Sequence, residues 1–149
     1  MLKRLERMKK LVELAQDDLE KASMLLRSIQ QQISMHQEQI DSLQSYQSDY
    51  IQQLSSKEST TLQQLNTKQA FLNKLNVAID QQTEEVVRLN HVANEAEQSW
   101  IEFKSREQSL VKLYEKIQKN HNTKMDKVEQ KMLDDLSGRQ FFFSNQSDD

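Results

Sequence analysis

Residues 39–82 are QIDSLQSYQSDYIQQLSSKESTTLQQLNTKQAFLNKLNVAIDQQ, and this stretch decides the fold. Apolar side chains recur on both sides of residues 55–61, whereas those seven residues include no large apolar side chain. We predict that they form the bend of an antiparallel coiled-coil hairpin, and that the rest of the chain supplies its two helical arms.

The arm before the bend has a regular apolar pattern that predicts a first helix over residues 2–54. Spacings of three and four residues alternate, and only His36 and Gln47 are polar among the fifteen seam positions. A seven-residue repeat kept this long indicates a left-handed supercoil, because the apolar stripe of a straight helix would drift. The seam positions are Leu5, Met8, Val12, Ala15, Leu19, Ala22, Leu26, Ile29, Ile33, His36, Ile40, Leu43, Gln47, Tyr50 and Leu54.

After the bend the same spacing returns in a new phase, which predicts a second helix over residues 62–136. Only Gln82 and Glu107 are polar among its fourteen seam positions. The loss of phase across a polar, Ser/Thr-rich segment is the main sign of the bend, and the rival interpretation is one very long helix in a parallel dimer. The second seam comprises Leu72, Leu75, Ile79, Gln82, Val86, Leu89, Ala93, Ala96, Trp100, Phe103, Glu107, Leu110, Tyr114 and Ile117.

Local signals around the bend agree with a helix start. Three stretches fit a capping box, in which a hydroxyl and an acid or amide three residues later exchange hydrogen bonds with the backbone. They are Ser55-x-x-Glu58, Thr60-x-x-Gln63 and Thr61-x-x-Gln64. A bend centred near Glu58 would place Trp100 opposite Ala15, a small residue facing the one tryptophan.

The second helix is expected to extend beyond the first. Past Ile117 the apolar spacing loosens, and these residues have no partner in the predicted hairpin; they are His121, Met125, Val128, Met132 and Leu136. Gly138 favours a helix end, since glycine is common just after the last helical residue. We therefore predict that the hairpin spans residues 1–138 and that residues 139–149 form a flexible tail. The Phe141–Phe143 run in that tail is either inert or a docking peptide.

Composition supports long helices and excludes several classes of protein. The chain has no proline, no cysteine and one glycine, with 36% hydrophobic and 29% charged residues. It therefore has no disulfide framework and no thiol nucleophile. Its purely apolar runs are too short to span a bilayer, and no secretory signal is evident. We expect a soluble, cytoplasmic protein that is monomeric when free.

The net charge of −3 hides an uneven distribution. Residues 1–10 and residues 104–131 each carry a net charge of +4, whereas residues 11–103 carry −8. In a hairpin the two basic segments meet at one end, where the arms finish. Either these are ordinary solvated faces, or the basic tip docks on an acidic surface or cavity, because charge of one sign steers encounter.

Residues that could carry out chemistry are scattered. The three histidines, His36, His91 and His121, show no metal-ligand spacing, and no phosphate-binding or nucleophile motif is present. A two-helix hairpin also offers no concave pocket that excludes water. We predict no enzymatic activity, no cofactor and no metal. Nucleic-acid binding is not expected, because the lysines alternate with acids and the aromatic residues near the tip lie in the seam.

Near the bend, apolar side chains extend beyond the seam. Tyr46, Phe71 and Ala78 lie outside the seam set but flank seam residues. They either widen the core near the turn or form a surface for a partner protein, and the sequence leaves both interpretations open.

At these residues the chain resembles FliJ, a small component of the bacterial flagellar type III export apparatus. The similar segments are residues 38–50, EQIDSLQSYQSDY; residues 69–81, QAFLNKLNVAIDQ; and Ser99-Trp100 with the basic run after it. The likeness extends over the whole chain in size, hairpin layout and order of segments.

The resemblance implies a function. FliJ-like proteins are antiparallel coiled coils whose free helix ends insert into the hexameric ring of the export ATPase and help it assemble. They also contact the membrane-embedded export gate and cycle export chaperones. On this basis we expect peripheral association with the inner face of the cell membrane. Two alternatives stay open: a structural coiled-coil tether or dimer, and the equivalent stalk of a virulence type III secretion system.

The resemblance and the charge pattern assign two sets of residues. Carried over residue by residue, the export-gate set is Gln39, Leu43, Tyr46, Tyr50, Phe71, Leu75, Ala78 and Gln82. At the last of these positions the family often has a histidine, and the bend lacks the family's common glycine. The hypothesised ATPase-binding tip comprises Lys3, Arg4, Arg7, Lys9, Lys10, Lys112, Lys116, Lys119 and Lys124.

Overall fold

Two helices make up the described part of the chain. The computed structural model describes the backbone of residues 2–56 and 61–147 and the side chains of residues 2–55 and 61–140. Helix α1 runs Leu2–Ser56 over 55 residues, and helix α2 runs Leu62–Ser147 over 86 residues. The described part of the chain contains no strand. The all-α prediction with a longer second helix is therefore confirmed, while the predicted conformation of bend residues 57–60 lies outside the described residues.

The start of α2 uses one of the three predicted capping boxes. The Thr61 backbone N–H donates to the Gln64 side-chain oxygen at 3.4 Å, and the Gln64 backbone N–H donates to the Thr61 hydroxyl at 3.3 Å. This reciprocal pair satisfies backbone donors that the first turn of a helix leaves open. Ser55 belongs to α1 instead, where its hydroxyl donates to the Gln52 carbonyl at 3.0 Å.

Internal contacts divide the chain into two units, which are described separately. The terminal unit comprises Met1–Leu19 with Phe103–Asp149, and the bend unit comprises Glu20–Glu102. In the bend unit, α1 and α2 run antiparallel, because partners on α2 come earlier as partners on α1 come later. The bonded pairs are Ser23 with Trp100, His36 with Gln82, and Gln47 with Asn76. A parallel dimer of one uninterrupted helix is therefore not the arrangement that this chain adopts.

The predicted pairing of Trp100 with Ala15 is wrong. The Trp100 indole N–H donates to the Ser23 hydroxyl at 2.8 Å, which lies farther toward the bend. A side chain leans toward the N-terminus of its own helix, and for α2 that direction is the bend. The prediction also centred the bend near Glu58, whereas α1 ends at Ser56 and α2 begins only at Leu62. Both effects shift the α1 partner of Trp100 toward the bend.

The predicted seams are confirmed. Every seam position on both helices is buried or half-buried, and most of the residues between them are exposed. The most buried apolar side chains all belong to the two seams; they are Met8, Val12, Ala15, Ala22, Ile29, Ile40, Leu75, Leu89 and Ala96. The 3-4 spacing thus identifies the packed face of each helix, as it does in coiled coils.

The end of α2 differs from the prediction. The helix continues past Gly138 to Ser147, and Gly138 does not have a positive φ. A glycine inside a helix costs about 1 kcal/mol relative to alanine, so it weakens a helix without necessarily ending it. The side chains of Phe141–Phe143 and the last two residues lie outside the described part of the chain, and the flexible tail stays a prediction.

Two candidate interaction surfaces

In the bend unit, three aromatic side chains from the predicted gate set meet across the two helices. We call Tyr46, Tyr50 and Phe71 the aromatic cluster. The Phe71 ring lies edge-to-face against Tyr50, with centroids 4.9 Å apart, and against Tyr46, with centroids 6.0 Å apart. Edge-to-face pairs at these distances add about 0.5–1.5 kcal/mol beyond the area they bury. Phe71 and Tyr50 are half-buried, whereas Tyr46 is 54% exposed and offers most of its ring to a partner.

Two other members of the predicted gate set are more buried than exposed. Leu75 is only 8% exposed and belongs to the seam. Ala78 is half-buried beside that seam. Near the bend both open interpretations of the extra apolar groups therefore apply, since Phe71 and Ala78 are half-buried while Tyr46 stays accessible.

The remaining gate-set residues line a shallow groove next to one another. Gln39, Leu43 and Gln82 line it together with Met35, Glu38 and Ser42, and its volume is about 490 Å³. We call it the Gln82 groove. Sequence reasoning missed Met35, which is 60% exposed; its isolated position outside the 3-4 pattern gave no signal.

A polar contact under this groove holds Gln82 in place. The His36 ring Nδ1–H donates to the Gln82 side-chain oxygen at 2.6 Å, within a part-buried layer of the seam. Closer to the bend, the Gln47 amide donates to the Asn76 side-chain oxygen. These pairs satisfy polar seam residues, which in coiled coils specify register at a cost in stability.

In the terminal unit, several predicted tip cations line one groove. Arg4 of α1 and Lys116 and Lys124 of α2 line it, with Lys127 as a fourth cation that the prediction missed. Leu113, Ile117, Asn120 and Thr123 complete the lining, and the volume is about 460 Å³. We call this the basic groove. In the sequence, Lys127 lies three residues after Lys124 and eleven after Lys116. These spacings place the three lysines on one helix face and could have identified Lys127 as a member of the tip.

The other predicted tip cations do not line that groove. They are exposed along the outer faces of the two helices; they are Lys3, Arg7, Lys9, Lys10, Lys112 and Lys119. An ion pair lies in the bend unit, where Arg88 binds Glu85. This hydrogen bond is the main cause that holds the pKa of the Glu85 carboxyl below its usual range.

The apolar stripe of α2 continues past Ile117 alongside the basic groove, and beyond His121 its side chains are exposed. His121 is half-buried, and the later apolar residues are 53–63% exposed; they are Met125, Val128, Met132, Leu133 and Leu136. We call residues 121–136 the overhang. Its exposure confirms that α2 extends beyond its partner helix.

Neither a metal-binding cluster nor a membrane-spanning helix occurs in the part of the chain that the structure describes. It contains no cluster of three His, Cys, Asp or Glu side chains that could hold a metal ion. None of its helices has a segment both apolar and long enough to cross a membrane.

Comparison with known proteins gives one match. The model of a protein family described as "Flagellar FliJ protein" matches residues 4–146 of the chain, which includes both surfaces. No curated protein and no solved structure matches the chain.

Proposed function

This chain belongs to the FliJ family of flagellar proteins, and we propose that it is the coiled-coil stalk that joins the export ATPase to the export gate. Family membership makes it a component of flagellar protein export. In the proposed function, the free helix ends enter the hexameric ATPase ring and promote its assembly and activity. The surface near the bend binds the membrane-embedded gate, and export chaperones are handled by the same protein.

The basic groove supports docking of the free ends on the ATPase. Four cations from two helices line one concave surface, and none of them makes an ion pair among the described residues. Clustered cations without acidic partners attract an acidic protein surface and speed its association with the groove. This gathering of charge is the observation that carries the ATPase part of the proposal.

The aromatic cluster and the Gln82 groove support docking of the bend unit on the gate. Exposed Tyr46 and the groove-lining Leu43 supply apolar area, while Gln39 and Gln82 supply amide groups for hydrogen bonds. Binding energy in protein interfaces concentrates in a few residues, among which tyrosine is enriched. The packing of Phe71 under Tyr46 keeps that ring in a defined orientation before any partner arrives.

The ATPase part is tested by titrating the cognate export ATPase with the chain and following ATP hydrolysis and ring assembly. We expect stimulation by the wild-type chain and its loss in the triple variant Lys116→Glu, Lys124→Glu, Lys127→Glu. A matched control reverses three exposed cations of the bend unit: Lys21→Glu, Arg27→Glu and Lys74→Glu. Both variants change net charge by the same amount, so equal loss in the two would refute docking through the basic groove.

The gate part is tested separately by binding of the purified cytoplasmic region of the gate protein. Tyr46→Ala should weaken this binding about fivefold or more, the loss expected for one interface tyrosine. The control is Ile51→Ala, since Ile51 is 50% exposed on the same helix but belongs to neither surface. If the triple variant of the basic groove weakened gate binding as much as ATPase binding, the assignment of separate partners to the two surfaces would be wrong.

A wild-type chain that leaves the hydrolysis rate and assembly of the ATPase unchanged would contradict the stalk proposal. With the chain shown to be helical, that outcome would favour an adaptor for the gate or the chaperones, or a plain coiled-coil tether.

A further inference from the structure

The overhang carries an exposed apolar stripe along one face of α2. Up to Ile117 the seam of α2 is covered by α1, which begins at Leu2, and beyond His121 the same stripe continues in the open. Its apolar side chains are more than half exposed, in contrast to the half-buried seam residues just before them. Isolated exposed apolar residues are ordinary, but a contiguous stripe on one helix face marks an interaction site.

The spacing of the stripe shows what shape of partner it suits. The steps from Ile117 to Leu136 are mostly four residues, through His121, Met125, Val128 and Met132. A 4-4-3 pattern repeats every eleven residues, about 3.67 per turn, so the stripe runs nearly straight along the helix instead of winding around it. A second helix can therefore lie along all sixteen residues, a contact about 24 Å long.

Over residues 124–131 the two flanks of the stripe carry opposite charges, whereas Asp134 and Asp135 add acids to the lysine side at the end of the overhang. A lysine stands directly before each of three apolar residues: Lys124 before Met125, Lys127 before Val128, and Lys131 before Met132. An acid stands directly after two of them: Asp126 after Met125, and Glu129 after Val128. Neighbouring helical residues differ by about 100° in direction, so residues before and after an apolar position lie on opposite sides of it.

The lysine flank is continuous with the basic groove. Lys124 and Lys127 belong to both, and Arg4 adds a cation from the first turn of α1. A helix laid on the overhang would therefore have a long row of cations along one side. Acidic side chains on that side of the incoming helix would form ion pairs across the flank, as charged flanking residues do in coiled coils.

A second copy of the chain fits this surface less well. If its α2 ran parallel, the part upstream of His121 would need the space along the seam that α1 occupies in the terminal unit. If it ran antiparallel, like flanks would face each other, so that lysine flank would lie along lysine flank.

We propose that the overhang and the basic groove form one docking surface for an amphipathic helix of another protein. That helix has an apolar stripe and an acidic flank, runs antiparallel to α2, and continues the seam from the point where α1 begins. The inference deepens the proposed function, on which it rests for the identity of the protein that supplies the helix.

The first test uses a defined probe and the full-length chain. The probe is a fluorescent synthetic peptide of five helical turns with a leucine stripe and glutamates along one flank; the control peptide has lysines in place of those glutamates. Fluorescence anisotropy should show at least roughly tenfold tighter binding of the acidic peptide, with the difference shrinking as salt rises. Equal affinity for the two peptides would overturn the inference.

The second test places the peptide on the chain. The double variant Val128→Ser, Met132→Ser removes two exposed apolar side chains and should weaken peptide binding roughly tenfold or more. The control, Val77→Ser with Val87→Ser, removes two side chains of similar exposure elsewhere on α2 and should leave binding unchanged. Circular dichroism checks that both variants keep their helix content. Equal effects of the two variants would also overturn the inference.

Measurements of molar mass and of ATPase stimulation distinguish the docking surface from a dimer interface and from the stalk function. Sedimentation equilibrium that gave a dimer for the wild type and a monomer for the Val128/Met132 variant would assign the surface to a second copy and overturn the proposal. Peptide binding as expected, with no stimulation of the export ATPase, would refute the proposed function and leave the docking surface standing. ATPase stimulation by a wild-type chain that binds neither peptide would refute the docking surface and leave the proposed function standing.

Discussion

Leu89 and Val87 provide a sharp test of the seam, because they are close neighbours on α2 with opposite burial. Leu89 is 3% exposed, whereas Val87 is 52% exposed. Replacing either residue with alanine removes apolar atoms from the same helix at nearly the same place. If the predicted seam is correct, the two substitutions should change the free energy of unfolding in opposite directions.

The expected magnitudes follow from what each side chain contacts. Leucine-to-alanine changes at fully packed positions cost about 2–5 kcal/mol, of which the cavity left behind is one part. A seam between only two helices can relax into the space, so we expect about 2–3 kcal/mol for Leu89→Ala. For Val87→Ala little buried area is lost, and alanine has the higher helix propensity, so a gain of up to about 0.5 kcal/mol is expected.

Thermal and urea unfolding, followed by far-UV circular dichroism, measure both changes. At about 2–4 °C per kcal/mol for a chain of this length, Leu89→Ala should lower Tm by about 4–12 °C and Val87→Ala should leave it equal or slightly higher. Equal losses of stability in the two variants would refute the assignment of the packed face. An unchanged urea slope would show that the comparison concerns the folded state.

Three further predictions concern local features. Thr61→Ala should destabilise the chain by about 1 kcal/mol because the cap of α2 is lost, whereas Thr67→Ala in the next turn should be neutral or slightly stabilising; urea unfolding compares them. Because Arg88 lowers the pKa of Glu85 from its ordinary 4.5, the stability from this pair is present above that pKa and is lost as the pH falls through the lowered value. NMR titration should show the pKa of Glu85 rising in Arg88→Gln, and an unchanged value would contradict the assigned cause. Gly138→Ala should raise helix content, since a Cβ there meets nothing within 4 Å, and slower amide exchange in the last turns would confirm it; a loss of helix would mean that the glycine ends it.

The packed faces were predictable because a two-helix fold depends on one variable, the spacing of apolar residues. The register of one helix against the other was not predictable, because it depends on how many residues form the bend and on the residue at which the second helix begins. Three capping boxes were equally good by pattern; the structure forms the one at Thr61, while Glu58 and Thr60 of the other two lie outside the described residues. A difference of a few residues at the bend then shifts every partner along α1, as the contact between Trp100 and Ser23 shows.

The candidate surfaces were predictable in part, for a related reason. The sequence left open whether Tyr46, Phe71 and Ala78 widen the core or form a surface, because exposure depends on where the facing helix lies. The structure exposes Tyr46 and half-buries the other two, and Met35 lines the Gln82 groove without any sequence pattern that predicts it. At the other surface, the predicted tip set included three of the four cations of the basic groove and left out Lys127, although this residue lies within the basic segment 104–131.

The order in which the bend unit refolds follows from the chain lengths that its cross-helix pairs enclose. Gln47 and Asn76 are 29 positions apart, His36 and Gln82 are 46 apart, and Ser23 and Trp100 are 77 apart. Closing a longer loop costs more entropy, but once an inner pair has formed, the next pair has only a short stretch of each helix left to close. Folding should therefore proceed like a zipper from the bend outward, and rate measurements should show Asn76 substitutions slowing folding while Ser23 substitutions mainly speed unfolding. A mechanical load on this unit would likewise open it from the Trp100 side first, with the pairs nearest the bend the last to part.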